Sequence, residues 1–173
     1  MTQGFTGPSG NDTALLALAL LVLLVVANGA PVLARKLLRQ RFSRPIDNGR
    51  LWRDQRPLLG PSKTWRGLGS GLLASGLASW ALGLGLVFGL LFGLLALLGD
   101  LASSFCKRRL GLTASARATG LDQLPEAILP LLLAMAWLAL AWYWALAVAL
   151  AFMAVDILVS PLLHRLGIRR QPH

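Results

Sequence analysis

The amino-acid sequence predicts an all-α, polytopic integral membrane protein with five transmembrane helices, and three observations carry that prediction. All 17 Lys and Arg residues fall in three short stretches, ten within 35–66, four within 107–117 and three within 165–170. The intervening segments are almost free of charge and long enough to cross a bilayer, which takes about 20 mostly apolar residues per helix. The chain is 55% hydrophobic, and its apolar residues come in runs rather than in the scattered pattern of a soluble domain.

Residues 13–34 carry no charge and supply the first span. Residues 67–106 contain one acid, Asp100, before Cys106 gives way to the second basic stretch; that length suits two helices, broken at Gly83-Leu84-Gly85, where glycine permits a tight turn. The predicted spans are 67–83 and 85–105. Residues 127–164 again hold one acid, Asp156, and the aromatic run Trp142-Tyr143-Trp144 marks their break, because such side chains favour the membrane–water boundary. That gives spans over 124–142 and 145–164, with loops over 35–66 and 106–123. The whole chain, 1–173, reads as one membrane domain. Basic residues collect on the cytoplasmic side, so the N-terminus is expected outside and the C-terminus inside a multi-pass protein of the cell membrane. The first dozen residues lack Lys and Arg, which argues against a cleavable signal with a basic start.

Glycines recur every four residues at Gly85, Gly89 and Gly93, and at Gly67 and Gly71. Small residues at this spacing let helix backbones approach closely. The pattern serves packing inside one subunit or a homodimer seam equally well.

A net charge of +10 would suit nucleic acid in a soluble protein, but no solvated nucleic-acid binder carries apolar runs of this length. No nucleic acid is expected; anionic lipid headgroups, nucleotide phosphates and the bilayer itself are the expected partners. A single cysteine, Cys106, excludes an internal disulfide, and two histidines, His164 and His173, are too few for a histidine-based metal site.

Of the seven acids, Asp12 lies in the N-terminal tail and Asp47 and Asp54 in the first basic loop. Asp100, Asp122, Glu126 and Asp156 fall within or at the inner end of spans, where an ionisable residue is costly and points to function. Asp122 and Glu126 are one helical turn apart, on one face. Carboxylates clustered beside cations suit phosphoryl or nucleotidyl transfer, since they hold a hard divalent cation that offsets charge on phosphate. Asp122 also reads as a helix cap, and Asp156 as a partner of His164 or Arg165 or a lining of a polar seam. The loop Gly60-Pro61-Ser62-Lys63-Thr64-Trp65-Arg66-Gly67 leads straight into a span, so its backbone N–H groups, with the Thr64 hydroxyl, Lys63 and Arg66, can face an anion. It lacks the glycine before lysine of a Walker A loop. Lys107-Arg108-Arg109 can bind substrate phosphates or anchor the helix to anionic lipid. Asn28 and Pro31 place a polar group and a kink near the end of the first span.

Taken in order, these segments resemble the CDP-archaeol synthase family, a branch of the CDP-diglyceride synthetase superfamily. The matching residues are Asn28-Gly29-Ala30-Pro31, Pro45-Ile46-Asp47-Asn48-Gly49, the 60–67 loop, Leu98-Gly99-Asp100 with Ser103-Ser104-Phe105-Cys106-Lys107-Arg108-Arg109, and Leu121-Asp122-Gln123. The resemblance implies a magnesium-dependent cytidylyltransferase that joins CTP to an anionic lipid phosphate and releases pyrophosphate on the cytoplasmic side. It assigns Asp100 and Asp122 to the metal, with Lys63 and Lys107 beside them in the catalytic set. Lys63, Thr64, Arg66, Lys107 and Arg108 would hold phosphates, and Asp47 would belong to the loop over the nucleotide. Two departures stand out. The family pattern continues with a second Asp three residues after the first, whereas this chain has Pro125 followed by Glu126, which then becomes the third metal candidate. Asp47-Asn48-Gly49 stands where paired glycines are usual. A small transporter or a non-catalytic membrane subunit are the competing classes; the first calls for a polar path to the outer face, and the second leaves the convergence of acids and phosphate-type loops unexplained.

Overall fold

In the structure, a computed structural model, residues 10–113, 120 and 122–165 are described, with side chains over 11–113, 120 and 122–159. Arg117, Leu121, Arg169, Arg170 and His173, and the side chains of His164 and Arg165, lie outside the described residues. Five helices follow in order: α1 Gly10–Leu38, α2 Trp65–Ala81, α3 Leu86–Arg109, α4 Gln123–Leu138 and α5 Trp142–Arg165. Among the described residues there is no strand, only two isolated bridges inside the first loop, Pro45 with Thr64 and Leu51 with Pro57.

Helix α1 runs four residues past its predicted end, so that Arg35 and Lys36 sit in its last turn and complement the negative end of its dipole. Its buried residues Leu20, Leu23, Leu24 and Ala27 form one stripe at helical spacing, while Leu15, Leu18, Val22 and Val25 point outward. Outward-facing leucine and valine suit a lipid solvent. Helix α2 shows the same inversion more sharply. It buries Gly71, Ser75, Gly76 and Ser79 and exposes Leu73, Leu77 and Trp80.

The glycine stripes are spent inside the subunit. A Cβ on Gly89 would stand 2.2 Å from the Ser79 Cβ, one on Gly93 2.6 Å from the Ser75 Cβ, and one on Gly71 2.7 Å from the Ala27 carbonyl oxygen. The serines opposite donate back across the seam, Ser75 to the Gly89 carbonyl at 2.9 Å and Ser79 to that of Gly85 at 2.7 Å. The turn between α2 and α3 uses Gly83 and Gly85 at φ +77° and +91°, which only glycine adopts without strain.

Helix α3 is the central element and packs on α1, α2 and α4, while α5 closes against α1 and α4. Phe88 and Phe92 fill the middle beside Leu20, Leu24 and Leu131. The last break falls earlier than the aromatic run suggests. The chain turns at Ala139, whose φ of +53° ends α4, and Trp142 already opens α5. Helix α4 is therefore shorter than its predicted span, and the aromatic trio forms the first turn of α5; the backbone turned at small alanines, not at the bulky rings. By length and composition, helices over 11–38, 86–109 and 142–159 are long and apolar enough to cross a membrane. With 17 and 16 residues, α2 and α4 are shorter; at 1.5 Å per residue each spans about 25 Å, against a hydrocarbon core of about 30 Å.

Candidate active site

The first loop is organised around Asp47. Its carboxylate accepts N–H bonds from Leu59 and Gly60 at 2.9 Å each through one oxygen and from Gly49 at 3.0 Å through the other. The side chain is only 5% exposed. Burial pushes its carboxyl up, but the bonds from Gly60, Gly49 and Leu59 outweigh that and hold it below the ordinary value of 3.8. Both oxygens of Asp47 are thus engaged by its own loop. Within the loop expected to lie over a nucleotide, its role in the structure is to fix the path of residues 59–60 into Lys63. Ile46 N–H bonding to the Lys63 carbonyl at 2.9 Å and Thr64 capping α2 through Gly67 N–H at 3.2 Å complete the placement.

So held, Lys63 reaches Asp100 on α3, its Nζ 2.5 Å from both carboxylate oxygens. The Glu126 carboxyl, on α4, packs against that of Asp100 within hydrogen-bond reach. Backbone contact between the helices explains this approach. A Cβ on Gly99 would lie 2.1 Å from the Pro125 carbonyl oxygen, so only glycine admits α4 at this height. Each of the two touching residues is followed by a carboxylate, Asp100 and Glu126. Seven residues along α3, two turns and about 10 Å further, Lys107 pairs with Asp122 at 2.5 Å. Helices α3 and α4 run antiparallel here, with Asp100 opposite Glu126 and Lys107 opposite Asp122.

Four of the predicted residues, Lys63, Asp100, Lys107 and Asp122, therefore stand as two acid–base pairs on one seam, and Glu126 joins the first. The structure does not gather Asp100, Asp122 and Glu126 into one metal cage: among the described residues no group of three His, Cys, Asp or Glu side chains is arranged to hold a metal. Asp122 sits one turn before Glu126 and pairs with Lys107, which lies two turns beyond Asp100 on α3. Asp100 and Glu126 remain as two adjacent carboxyls beside a single lysine, a donor set that suits Mg²⁺, which binds through one or two carboxylates plus substrate phosphates.

The other predicted residues are placed differently. Arg66 donates to the carbonyls of Arg39 at 2.8 Å and Arg41 at 2.6 Å, tying the turn after α1 to the start of α2. Asn28 donates to the Leu24 carbonyl of its own helix at 3.1 Å. Arg108 is buried, donates to the Leu112 carbonyl, and lines a cleft of about 330 Å³ with Arg56, Gly60, Pro61 and Gly111. Asp156 accepts from Gln123 at 2.9 Å.

Sequence reasoning missed the clasp that holds the first loop against α3. Arg109 pairs with Asp54, donates to the Pro57 carbonyl at 2.6 Å, and lies over the Phe105 ring at 5.0 Å. Arg56 returns a bond to the Arg109 carbonyl at 2.7 Å, and Trp52 packs edge-on against Phe105 at 5.5 Å. Partners more than 50 residues apart leave no local signal; the only hint was the unusual density of arginine at both ends.

Comparison with known proteins agrees with this architecture. The family model described as CDP-archaeol synthase (CarS-like) matches residues 78–173. The CDP-archaeol synthase of Halorubrum lacusprofundi is 37% identical over 172 residues, covering 85% of this chain and 90% of that protein. That of Hyperthermus butylicus is 42% identical over 106 residues, covering 58% of this chain. The match spans 60% of the length of the Hyperthermus protein, and the same share of its Thermococcus kodakarensis counterpart. Among solved structures, an intramembrane enzyme for archaeal membrane lipid biosynthesis superposes with a TM-score of 0.68 at 34% identity, over 83% of this chain and 91% of that one. With Asp100, Lys107, Asp122 and Glu126 in the matched region, the chain belongs to the CDP-archaeol synthase family.

Proposed function

We propose that this protein is a CTP-dependent cytidylyltransferase that activates a membrane lipid phosphate to a CDP-lipid with release of pyrophosphate. The observation that carries the reading is the α3–α4 seam, where Lys63, Asp100 and Glu126 meet and Lys107 and Asp122 pair two turns away. The names of the relatives favour an archaeol-type ether-lipid phosphate as acceptor.

In the proposed reaction a phosphate oxygen of the lipid attacks the α-phosphorus of CTP. The bond from that phosphorus to the bridging oxygen breaks, and pyrophosphate leaves in line. Lys63, Lys107 and Arg108 bind the phosphates and offset their charge, so that positioning and electrostatics supply the rate and no side chain becomes covalently attached. Lys63, paired with Asp100 here, would also be in reach of a bound phosphate, and Asp100 and Glu126 would then be left to hold a divalent cation. Bound Mg²⁺, held by Asp100 and Glu126, would supply neutralisation of the triphosphate charge. The lysines and the Asp47-organised loop fix the triphosphate, and the exposed leucines of the helices leave the lipid chains in the bilayer.

Five crossings follow if α2 and α4 traverse with help from their flanks. The N-terminus then faces out, and the 35–66 loop and the site face the cytoplasm of a cell carrying the protein in its plasma membrane. In a Cys106→Ser background, Gln40→Cys should resist an impermeant thiol reagent in intact cells and Thr6→Cys should react; the opposite pattern reverses the orientation.

The direct test is purified protein with labelled CTP, magnesium and a panel of ester and ether lipid phosphates. Pyrophosphate release that requires the lipid phosphate is the expected result. A transporter releases none, and a packing subunit shows no nucleotide dependence, so silence across the panel refutes the reading.

A further inference from the structure

Beyond the first turn of a helix the described acids are Asp100 and Asp156, and of these only Asp156 stands outside the two acid–base pairs. It stands in α5, away from the basic loops in sequence, where a carboxylate in a membrane segment is costly to retain. Its oxygen accepts a hydrogen bond from the Gln123 side-chain amide at 2.9 Å. The other end of that amide, the Gln123 carbonyl oxygen, accepts the Gly120 N–H at 2.9 Å. Gln123 is 4% exposed and occupies the first position of α4. Gly120, at φ +87°, turns the chain into that helix.

The start of α4 has no cap of its own. Asp122, in the capping position, has helical dihedrals and makes no capping side-chain bond, its carboxylate being turned to Lys107 instead. The two-ended bridge of Gln123 therefore ties the first turn of α4 to Asp156 on α5, alongside the contacts that Pro125, Asp122 and Glu126 make with α3. The same turn presents Asp122 to Lys107 and Glu126 to Asp100. A small roll or slide of α4 would part both pairs at once.

We propose that Asp156 is a positioning residue for the reaction, acting through Gln123 to hold the first turn of α4 so that Glu126 and Asp122 meet their partners on α3. This rests on the cytidylyltransferase reading above. The required property is acceptance of a hydrogen bond, which asparagine retains, and not negative charge as such.

Four variants of the full chain in detergent test it: Asp156→Ala, Asp156→Asn, Gln123→Met and the Asp156→Ala/Gln123→Met double. Gln123→Met keeps the side-chain volume and serves if Asp156→Ala fails to fold. Pyrophosphate release is measured against CTP and Mg²⁺ concentration, and Mn²⁺ binding without substrate is followed by electron paramagnetic resonance. Misplacement of a reacting group by about 1 Å costs on the order of a hundred-fold. Asp156→Ala and Gln123→Met should each lose about that much in kcat with a small change in KM for CTP, and both should bind Mn²⁺ more weakly. The double variant should be no worse than the poorer single, because both break one connection. Asp156→Asn should recover most of the rate and the Mn²⁺ binding. Equal loss in Asp156→Asn and Asp156→Ala overturns the proposal in favour of a direct role for the charge, and additive losses overturn the relay. If the unaltered chain releases no pyrophosphate, the cytidylyltransferase reading fails by itself, while the Mn²⁺ series still decides the positioning.

Discussion

Helix α3 forms two close seams, and they differ in what the close approach achieves. Towards α2, glycines at 89 and 93 meet serines at 79 and 75, leucines at 86, 90 and 97 pack on glycines at 76 and 71, and every contact is neutral. Towards α4, Gly99 meets the Pro125 backbone, and the next residue on each side is a carboxylate. In lipid, where apolar burial gives no drive between helices, van der Waals contact and interhelical hydrogen bonds hold both seams. The first seam stops there. The second uses the same contact to force two acids together beside a lysine, an arrangement that costs energy in isolation and would become favourable with the proposed cation and phosphates bound. On the proposed reading, one packing device thus serves stability at one height and chemistry at another.

The largest effect that would sharpen this contrast is expected from Asp100→Asn. The side chain keeps its size and loses the charge that attracts a cation, and the loss of several kcal/mol of charge stabilisation corresponds to about a hundred- to a thousand-fold in kcat. The protein should still reach the membrane folded; near-normal turnover at low magnesium would remove Asp100 from the site. Gly99→Ala comes next. Its Cβ would collide with the Pro125 carbonyl, so α4 must shift and the rate should fall about a hundred-fold, with Mn²⁺ binding weakened in parallel.

Gly89→Ala is the matched control on the other seam. Its Cβ would strike Ser79, and overpacking of this kind costs about 1–3 kcal/mol of stability. Melting temperature should drop while kcat of the folded fraction holds; a fall in kcat as deep as that of Gly99→Ala would erase the distinction between the seams. Lys63→Ala should raise KM for CTP about ten- to a hundred-fold, the loss of one charge-assisted contact worth about 1.5–3 kcal/mol, and leave KM for the lipid nearly unchanged.

The smallest effect concerns the loop. Asp47 has a lowered pKa when folded, so the stability it contributes is present above pH 3.8 and is lost as pH falls through the lower folded value. Asp47→Asn should therefore melt earlier at neutral pH, by about 1–3 kcal/mol for its lost charge-assisted bonds, and should show a shallower acid limb. An unchanged acid limb would deny the carboxylate its place at the centre of the loop.

Much of this was legible before any coordinates. Glu126 could be named as a site candidate because it falls one turn after Asp122, and Lys63 because it stands just ahead of a helix. Neither argument could say that Glu126 faces Asp100 while Asp122 faces Lys107, since periodicity along one helix does not give its height against another. Arg66 and Asp47 illustrate the converse. Both have the residue type and setting of phosphate or nucleotide contacts, yet their hydrogen bonds go to the protein's own backbone. Arg109 and Asp54 were invisible as a pair.

The sequence by itself determined the helical class, the existence of five apolar segments, the turn at Gly83 and Gly85 and the roster of charged residues, because each of these is written in local composition and spacing. Only the tertiary structure decided which acid meets which base, that Asp100 and Glu126 stand together while Asp122 stands apart, and that Asp156 is joined to α4 through Gln123. Those choices depend on the relative height and rotation of α3, α4 and α5. They are set by contacts such as that of Gly99 with Pro125, between residues that no pattern within either helix connects.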